Sequence, residues 1–253
     1  MSERFQLSGE PSDAVDAIVT CGDSGISHLF LSMAARHPEG KDAEYLHWHS
    51  VDHRPEQMRL ASIRASLRVV STPRCRAVRA ACSPAYEAID HVMTYFFANL
   101  DGLDEFNRLS EALRDAGRSP FILPPVERGV YAVSKRQAAA RAKLGADVLP
   151  WLPTLGVYLL LEEGREDAAG ELAPLLAVPG VAGSWQAGAV ATAFSTAPTS
   201  QTISLLFLDA DPVAVAERLQ PVLAERWRGG DVTAQLAAPF YTLVPYEWHL
   251  HLP

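Results

Sequence analysis

The sequence predicts an α+β fold of two tandem β-α-β-β-α-β units, and three observations carry that expectation. Short apolar runs alternate with amphipathic stretches in an order that occurs twice along the chain. The third strand of each copy matches the other together with its following helix. FFANLDGLDEFNRL begins at residue 96 and LFLDADPVAVAERL at residue 206, each with an apolar strand end, an Asp at the helix start and an amphipathic helix. Finally, Tyr95, Phe96 and Phe97 are consecutive aromatics on one predicted strand, so they face both sides of it, as a sheet buried on both faces requires.

Each element has its own local reason. Residues 1–26 are rich in Gly, Ser and Asp, with one short apolar stretch at 17–20, and read as an extension packed on the main body. Residues 28–33 (HLFLSM) form a first strand. Residues 42–60 are polar with Pro55 in their middle, which predicts a helix interrupted where proline removes a backbone donor. In residues 63–71, Ile63, Ala65, Leu67 and Val69 alternate with Arg64, Ser66 and Arg68, the period of a strand. A loop with Pro73 and Pro84 leads to a strand at 89–98. Asp101 is placed to cap a helix carrying Leu103, Phe106, Leu109 and Leu113, and Gly117 ends it. After Pro120, Pro124 and Pro125, residues 129–133 close the first unit. The second copy has a strand at 155–161, a helix at 166–176, a Gly-interrupted strand at 180–192 and a strand at 201–208. A helix then starts at Asp211, and the closing strand or strands lie in 232–244. The units are of the split, ferredoxin-like kind, at 27–134 and 154–253, joined by 135–153.

Composition narrows the function classes. The chain has 253 residues, 48% of them hydrophobic, and a formal net charge of −8. That balance argues against a sequence-independent nucleic-acid binder, which gains affinity by neutralising phosphates. No apolar run approaches the roughly 20 residues of a membrane span, and the N-terminus lacks a basic stretch followed by an apolar core. Cys21, Cys75 and Cys82 are too few and too irregular for a disulfide framework or thiolate metal site. The expectation from composition is a cytoplasmic protein with no nucleic-acid or membrane partner.

The two copies differ most before the third strand. The interval from Leu31 to Tyr95 is about 17 residues longer than that from Tyr158 to Leu205, and five of the eight histidines lie between His28 and His53. On a regular helix His49 and His53 share a face, while Trp48 lies about 140° from His53 and His47 about 120° on the other flank. The imidazoles therefore do not converge on one ion, and a metal site would need a third donor such as His91. As acid–base chemistry, His53 could be poised near neutral pH with Asp52 fixing its tautomer. The blander alternative is that His49 and His53 line the helix and bond to backbone carbonyls. Seven arginines fall between Arg54 and Arg79. Arg64 or Arg68 could clamp a ligand carboxylate or phenolate, or the row could be a solvated edge.

The stretch Trp48-His49-Ser50-Val51-Asp52-His53-Arg54-Pro55 resembles the first-helix signature of EthD-like proteins in the dimeric α+β barrel superfamily, W-Y-x-x-E-H-x-P. His49 stands for the usual aromatic and Asp52 for the usual Glu. The apolar-Pro-Gly-apolar step that often follows is absent from the first unit, which has Leu60-Ala61-Ser62-Ile63. It is present in the second as Val178-Pro179-Gly180-Val181. The resemblance implies two ferredoxin-like sheets pairing into a barrel within one chain, with a pocket between helices and sheet. Relatives include cofactor-independent monooxygenases, cyclases, isomerases and haem-dependent chlorite dismutases. It implies an enzyme acting on a small hydrophobic or aromatic metabolite by proton transfer or oxygenation. By the resemblance His53 would be acid or base, without a cofactor, and Trp48 and His49 wall or orienting residues. The reading of the residues themselves adds Asp52 and His49 as partners of His53, and Trp48, Arg64, Arg68, His91 and Tyr95 as contacts of a small-molecule ligand, in a monomer or a homodimer. The alternatives are a non-catalytic ligand-binding or structural barrel, or a haem or metal protein using His49, His53 or His91.

Overall fold

The computed structural model describes residues 7–164 and 172–253. Among the described residues nine strands are present: β1 (His28–Ala34), β2 (Ile63–Val70), β3 (Ala81–Cys82), β4 (His91–Phe97), β5 (Pro125–Ala138), β6 (Gly156–Gly164), β7 (Val181–Ala189), β8 (Gln201–Leu208) and β9 (Val232–Thr242). The α-helices are α1 (Asp16–Val19), α2 (Asp42–Trp48), α3 (Arg54–Gln57), α4 (Pro73–Ala77), α5 (Gly102–Asp115), α6 (Ala173–Leu176) and α7 (Pro212–Arg226). The first helix expected in the second unit falls partly on residues 166–171, outside the described residues; its end is α6.

The strands form one antiparallel sheet in the order β2-β4-β1-β5-β7-β8-β6-β9, and its ends meet where Val69 and Val70 pair with Thr242 and Tyr241. The result is a closed eight-stranded barrel. Within each half the order is fourth-first-third-second, β5-β1-β4-β2 and β9-β6-β8-β7, which is ferredoxin-like. The halves join at β5–β7 and β2–β9, so the expected α+β fold of two tandem units is the one observed.

Alternation decides which side chains fill the barrel. Leu29, Leu31, Met33, Phe96, Leu159, Leu161, Leu205, Phe207 and Phe240 point inward with Trp185. The residues between them face the helices. Tyr158, Leu160 and Leu206 pack on Leu219 and Leu223 of α7, and Phe30, Met93, Tyr95 and Phe97 pack on Leu103 and Phe106 of α5. The aromatic triplet divides as its pattern requires. Tyr95 and Phe97 lie against Phe106, and Phe96 meets Trp185 edge-on at 5.6 Å inside the barrel.

Several local expectations are corrected. β5 runs on to Ala138, beyond residue 133, because its second half pairs with β7, Lys135 opposite Gln186 and Ala138 opposite Gly183. The stretch after β2 is not a plain loop. Pro73 opens α4, whose Cys75 amide donates to Thr72 Oγ1 at 3.2 Å, and β3 then joins the free edge of β9. At the start of α5 the Asp101 side chain makes no capping bond; Asn99 Oδ1 accepts from the Gly102 amide at 3.2 Å. Asp211 does cap α7, accepting from the Ala214 amide at 2.9 Å. Gly180 has φ +102°, and a Cβ there would strike Val215, so the Pro-Gly step before β7 admits no other residue without strain.

The N-terminal extension lies on the segment between the units. The Ser12 amide donates to the Lys143 carbonyl and Asp13 accepts from the Ala146 amide, both at 2.9 Å. At one end of the barrel, Glu127 is buried and accepts from the hydroxyls of Tyr86 (2.6 Å) and Tyr131 (3.1 Å) and from Gln201 (3.1 Å). Burial and the carboxylate push the Tyr86 phenol above its ordinary value. This network pins the 71–90 excursion to the barrel. Tyr86→Phe is expected to lower stability by about 1–3 kcal/mol, because a bond to a charged group is lost and the carboxylate keeps one donor fewer. The urea midpoint measures it. Among the described residues no helix is long and apolar enough to cross a membrane.

Candidate functional site

The helix after β1 is continuous from α2 to α3 but widens between them into a π-helical turn, His49–His53. Pro55 supplies the reason. It has no N–H for the Val51 carbonyl, and its ring would crowd that carbonyl in a regular helix. A π turn closes on residues five apart, so Trp48 comes beside His53, their rings 5.0 Å apart, where a regular helix would hold them on different faces. His49 remains on the same side, 5.6 Å from His53. His47 turns away and meets Trp248.

This face covers the outer surface of β2 and β4, and the two layers enclose a polar cluster. His53 Nε2 lies 3.0 Å from Gln57 Nε2, and the Tyr95 hydroxyl donates to Gln57 Oε1. An amide N–H only donates, so in this arrangement Nε2 accepts and the neutral ring carries its proton on Nδ1. His91 is fully buried on β4, with Nε2 2.8 Å from Asp42 Oδ1, which also accepts from the His37 amide at 2.8 Å. Arg68 on β2 is 5% exposed; its Nη2 donates to the Tyr45 hydroxyl at 2.5 Å and its guanidinium lies over the Tyr45 ring, 5.1 Å from the centroid. Arg54 donates to Ser66 Oγ at 2.7 Å and Ser66 O at 3.2 Å.

Burial sets the protonation states. It holds His49 well below the ordinary imidazole value, with Arg68 adding to the effect. His53 is lowered by burial, partly opposed by Asp52, and His91 is lowered by burial despite Asp42. Burial pushes the Asp42 carboxyl up, but the bonds from His91 and the His37 amide outweigh it and leave it low. All three imidazoles are therefore neutral at neutral pH. Among the described residues His49 Nδ1, His53 Nδ1, His91 Nδ1 and Arg68 Nε are buried without hydrogen-bond partners.

The structure thus brings together Trp48, His49, His53, Arg68, His91 and Tyr95. It does not bring in Asp52 or Arg64. Asp52 is ion-paired with Arg118, which also holds Glu56 at 3.0 Å, so the group that orients His53 is Gln57. Arg64 is exposed and donates to the Ser24 carbonyl at 3.2 Å. It lines an open cleft of about 490 Å³ with Asp23, Asp147 and Trp151. Sequence reasoning missed Asp42, Tyr45, Arg54 and Gln57. A signal for two of them existed: Tyr45, His49, His53 and Gln57 recur every four residues, the stripe of one helix face.

Among the described residues no three His, Cys, Asp or Glu side chains come together as a set that could hold a metal ion. The equivalent layer of the second unit is packed by Tyr158, Leu160, Leu206, Leu219 and Leu223 and holds none of these histidines.

No protein-family model matches the sequence, and no curated protein matches it either. Solved structures do match in shape. A candidate chlorite dismutase superposes with TM-score 0.52 at 11% identity, covering 87% of this chain and 96% of that one. A candidate monooxygenase from Fusobacterium nucleatum subsp. nucleatum gives 0.51 at 7% identity (87% and 93%), and an anthrone oxidase-like protein 0.50 at 11% identity (88% and 94%). At these identities the likeness bears on fold, and it extends over both halves of the barrel. The chain therefore has the fold of these structures, an α+β barrel of two ferredoxin-like halves, with both halves supplied by one polypeptide.

Proposed function

We propose that the chain is a cofactor-independent enzyme that acts on a small hydrophobic or aromatic metabolite by proton transfer or oxygenation, with His53 as its acid–base residue. The observation that carries this reading is the state of the His53 ring. Burial keeps it neutral, Gln57 and Tyr95 orient it through Nε2, and Nδ1 is left without a partner. Turning the Gln57 amide over would present its carbonyl to Nε2–H, and Nδ1 would then hold the lone pair that takes a proton. His49 and Trp48 are the orienting and wall residues of the same reading. The names of the similar structures, a monooxygenase and an anthrone oxidase-like protein among them, suit a substrate with an acidic C–H or O–H. The expected setting is the cytoplasm, as a monomer or a homodimer.

The test is a panel of phenols, anthrones and 1,3-diketones, followed by deuterium exchange in D2O and by oxygen uptake. The wild-type protein is expected to accelerate at least one, and His53→Asn to slow it by about 100–10,000-fold with unchanged melting temperature. Equal rates in the two proteins would remove His53 from the mechanism. A non-catalytic barrel is the second reading, favoured by the position of the open cleft, which lies at Arg64 and Trp151 and not at His53. It expects no turnover in either protein.

A further inference from the structure

We infer that the layer between the first helix and the sheet of the first unit is a binding site for a small organic anion, a carboxylate, phenolate or enolate on an aromatic body, and that Arg68 takes its charge. The inference rests on the functional reading above and supplies its substrate class.

The argument starts from charge balance. Arg68 and Arg54 bring two guanidiniums into this layer, and a guanidinium stays protonated in proteins. Neither is paired with a carboxylate among the described residues: Arg68 bonds a phenol, and Arg54 a hydroxyl and a carbonyl. Asp52 and Glu56 are engaged by Arg118, and Asp42, ionised beside the neutral His91, supplies one negative charge against two guanidiniums. The three imidazoles are neutral, so one positive charge is left over. A buried cation without a counter-charge is strongly unfavourable, and proteins ordinarily pair it or replace it by an apolar side chain. Here it is retained, with its Nε–H buried and unpartnered among the described residues, in the layer that also holds the unpartnered Nδ1 atoms of His49, His53 and His91. Orphaned donors and acceptors gathered in one place point to a ligand that pairs with them.

Geometry narrows the ligand. The Tyr45 ring lies against the Arg68 guanidinium and its hydroxyl takes one Nη2–H, which leaves the Nε–H for a planar oxyanion. Tyr45, Trp48 and Tyr95 give flat apolar walls, Tyr45 and Trp48 with ring centres 5.8 Å apart. A compact inorganic ion would use none of that surface; an aryl carboxylate or phenolate uses both the charge and the walls. If a proton leaves a substrate C–H or O–H to His53, the anion that forms is of the class Arg68 would hold.

The test uses the intact protein with benzoate and salicylate as probes and benzamide as the neutral control. Thermal unfolding and the ¹⁵N-edited resonance of the Arg68 Nε–H are the readouts. Either aryl anion is expected to raise the melting temperature by about 5–10 °C at roughly 100 times its Kd and to move the Nε–H resonance, while benzamide does neither. Arg68→Met is expected to abolish the response and to melt, without anion, no lower than the wild type, since an unpaired buried charge is gone. Arg68→Lys keeps a charge without the planar edge and is expected to respond weakly. No shift with either anion, an equal shift with benzamide, or a response that survives Arg68→Met would each overturn the inference. His53→Asn separates the two proposals. Anion binding that survives it alongside lost turnover supports both, whereas turnover that survives it removes the role given to His53 and leaves the anion site standing.

Discussion

Replacing Trp185 by alanine is expected to destabilise the protein by about 3–5 kcal/mol, the cost of emptying a large aromatic site in a closed core. Trp185 is fully buried on β7, yet its neighbours come from the rest of the chain. Phe96 of β4 packs on it edge-on, the Arg136 guanidinium of β5 lies 4.7 Å from its ring centre, and its N–H donates to the Ala146 carbonyl at 2.7 Å. One side chain therefore ties the second unit to the first and to the segment between them. The expected fall in melting temperature is roughly 6–20 °C for a chain of this size, in a single transition seen alike by far-ultraviolet circular dichroism and by fluorescence. Trp185→Phe keeps most of the packing and is expected to lose less. Two separated transitions, or a loss confined to one unit, would show that the halves of the barrel do not depend on each other.

The barrel was legible because its strands are covered on both faces. Burial on both sides makes strands such as 155–161 nearly all apolar, and the repeated order of elements revealed two units where single elements would have been ambiguous. What the pattern did not reveal depends on distant partners. Lys135, Arg136 and Gln137 do not look like a strand by themselves; they become one because β7 offers its edge. β3 is two residues long and exists only against β9. Pro55 announced an interruption, but not its form. Only the π turn explains why Trp48 stacks near His53.

The site was legible in part for a similar reason. Side chains on one strand face or one helix face are visible as periods, and this put His49 with His53 on the helix and Arg64 with Arg68 on the strand. Period alone says nothing of distance along the strand. Arg64 and Arg68 share a face of β2 but stand about 13 Å apart, so one enters the cluster and the other reaches the N-terminal extension. Asp52 sits beside His53 in sequence and projects to another side of the helix, where Arg118 binds it. Its expected task falls to Gln57, one turn further on.

Acid is expected to unfold the protein earlier and more steeply than its carboxylates alone would dictate. His49 and His91 are both held below their ordinary value of 6.5 by burial. The groups that act on His49 are Arg68, His53, Arg54 and His91, none of them an anion. Because the folded-state pKa lies below the unfolded one, the unfolded chain binds protons first as pH falls. Their contribution is intact above about pH 6.5 and is lost progressively below it. Each such group adds a slope that approaches about 1.4 kcal/mol per pH unit well below 6.5, so the pair can remove up to roughly 2 kcal/mol between pH 6.5 and 5.5. Asp42, whose carboxyl is held low, acts with the same sign in a more acid range, below its ordinary 3.8. Asp90 has the opposite sign, since burial holds its carboxyl above the ordinary value, and it works against the histidines. Urea titrations at half-unit steps from pH 7.5 to 5.0 measure the slope. His49→Leu removes one buried imidazole without leaving a hydrogen-bond partner behind, and is expected to flatten the curve by up to about 1.4 kcal/mol per pH unit. A slope unchanged in that variant would mean that His49 is protonated in the folded protein, and the neutral cluster around Arg68 would lose one of its members.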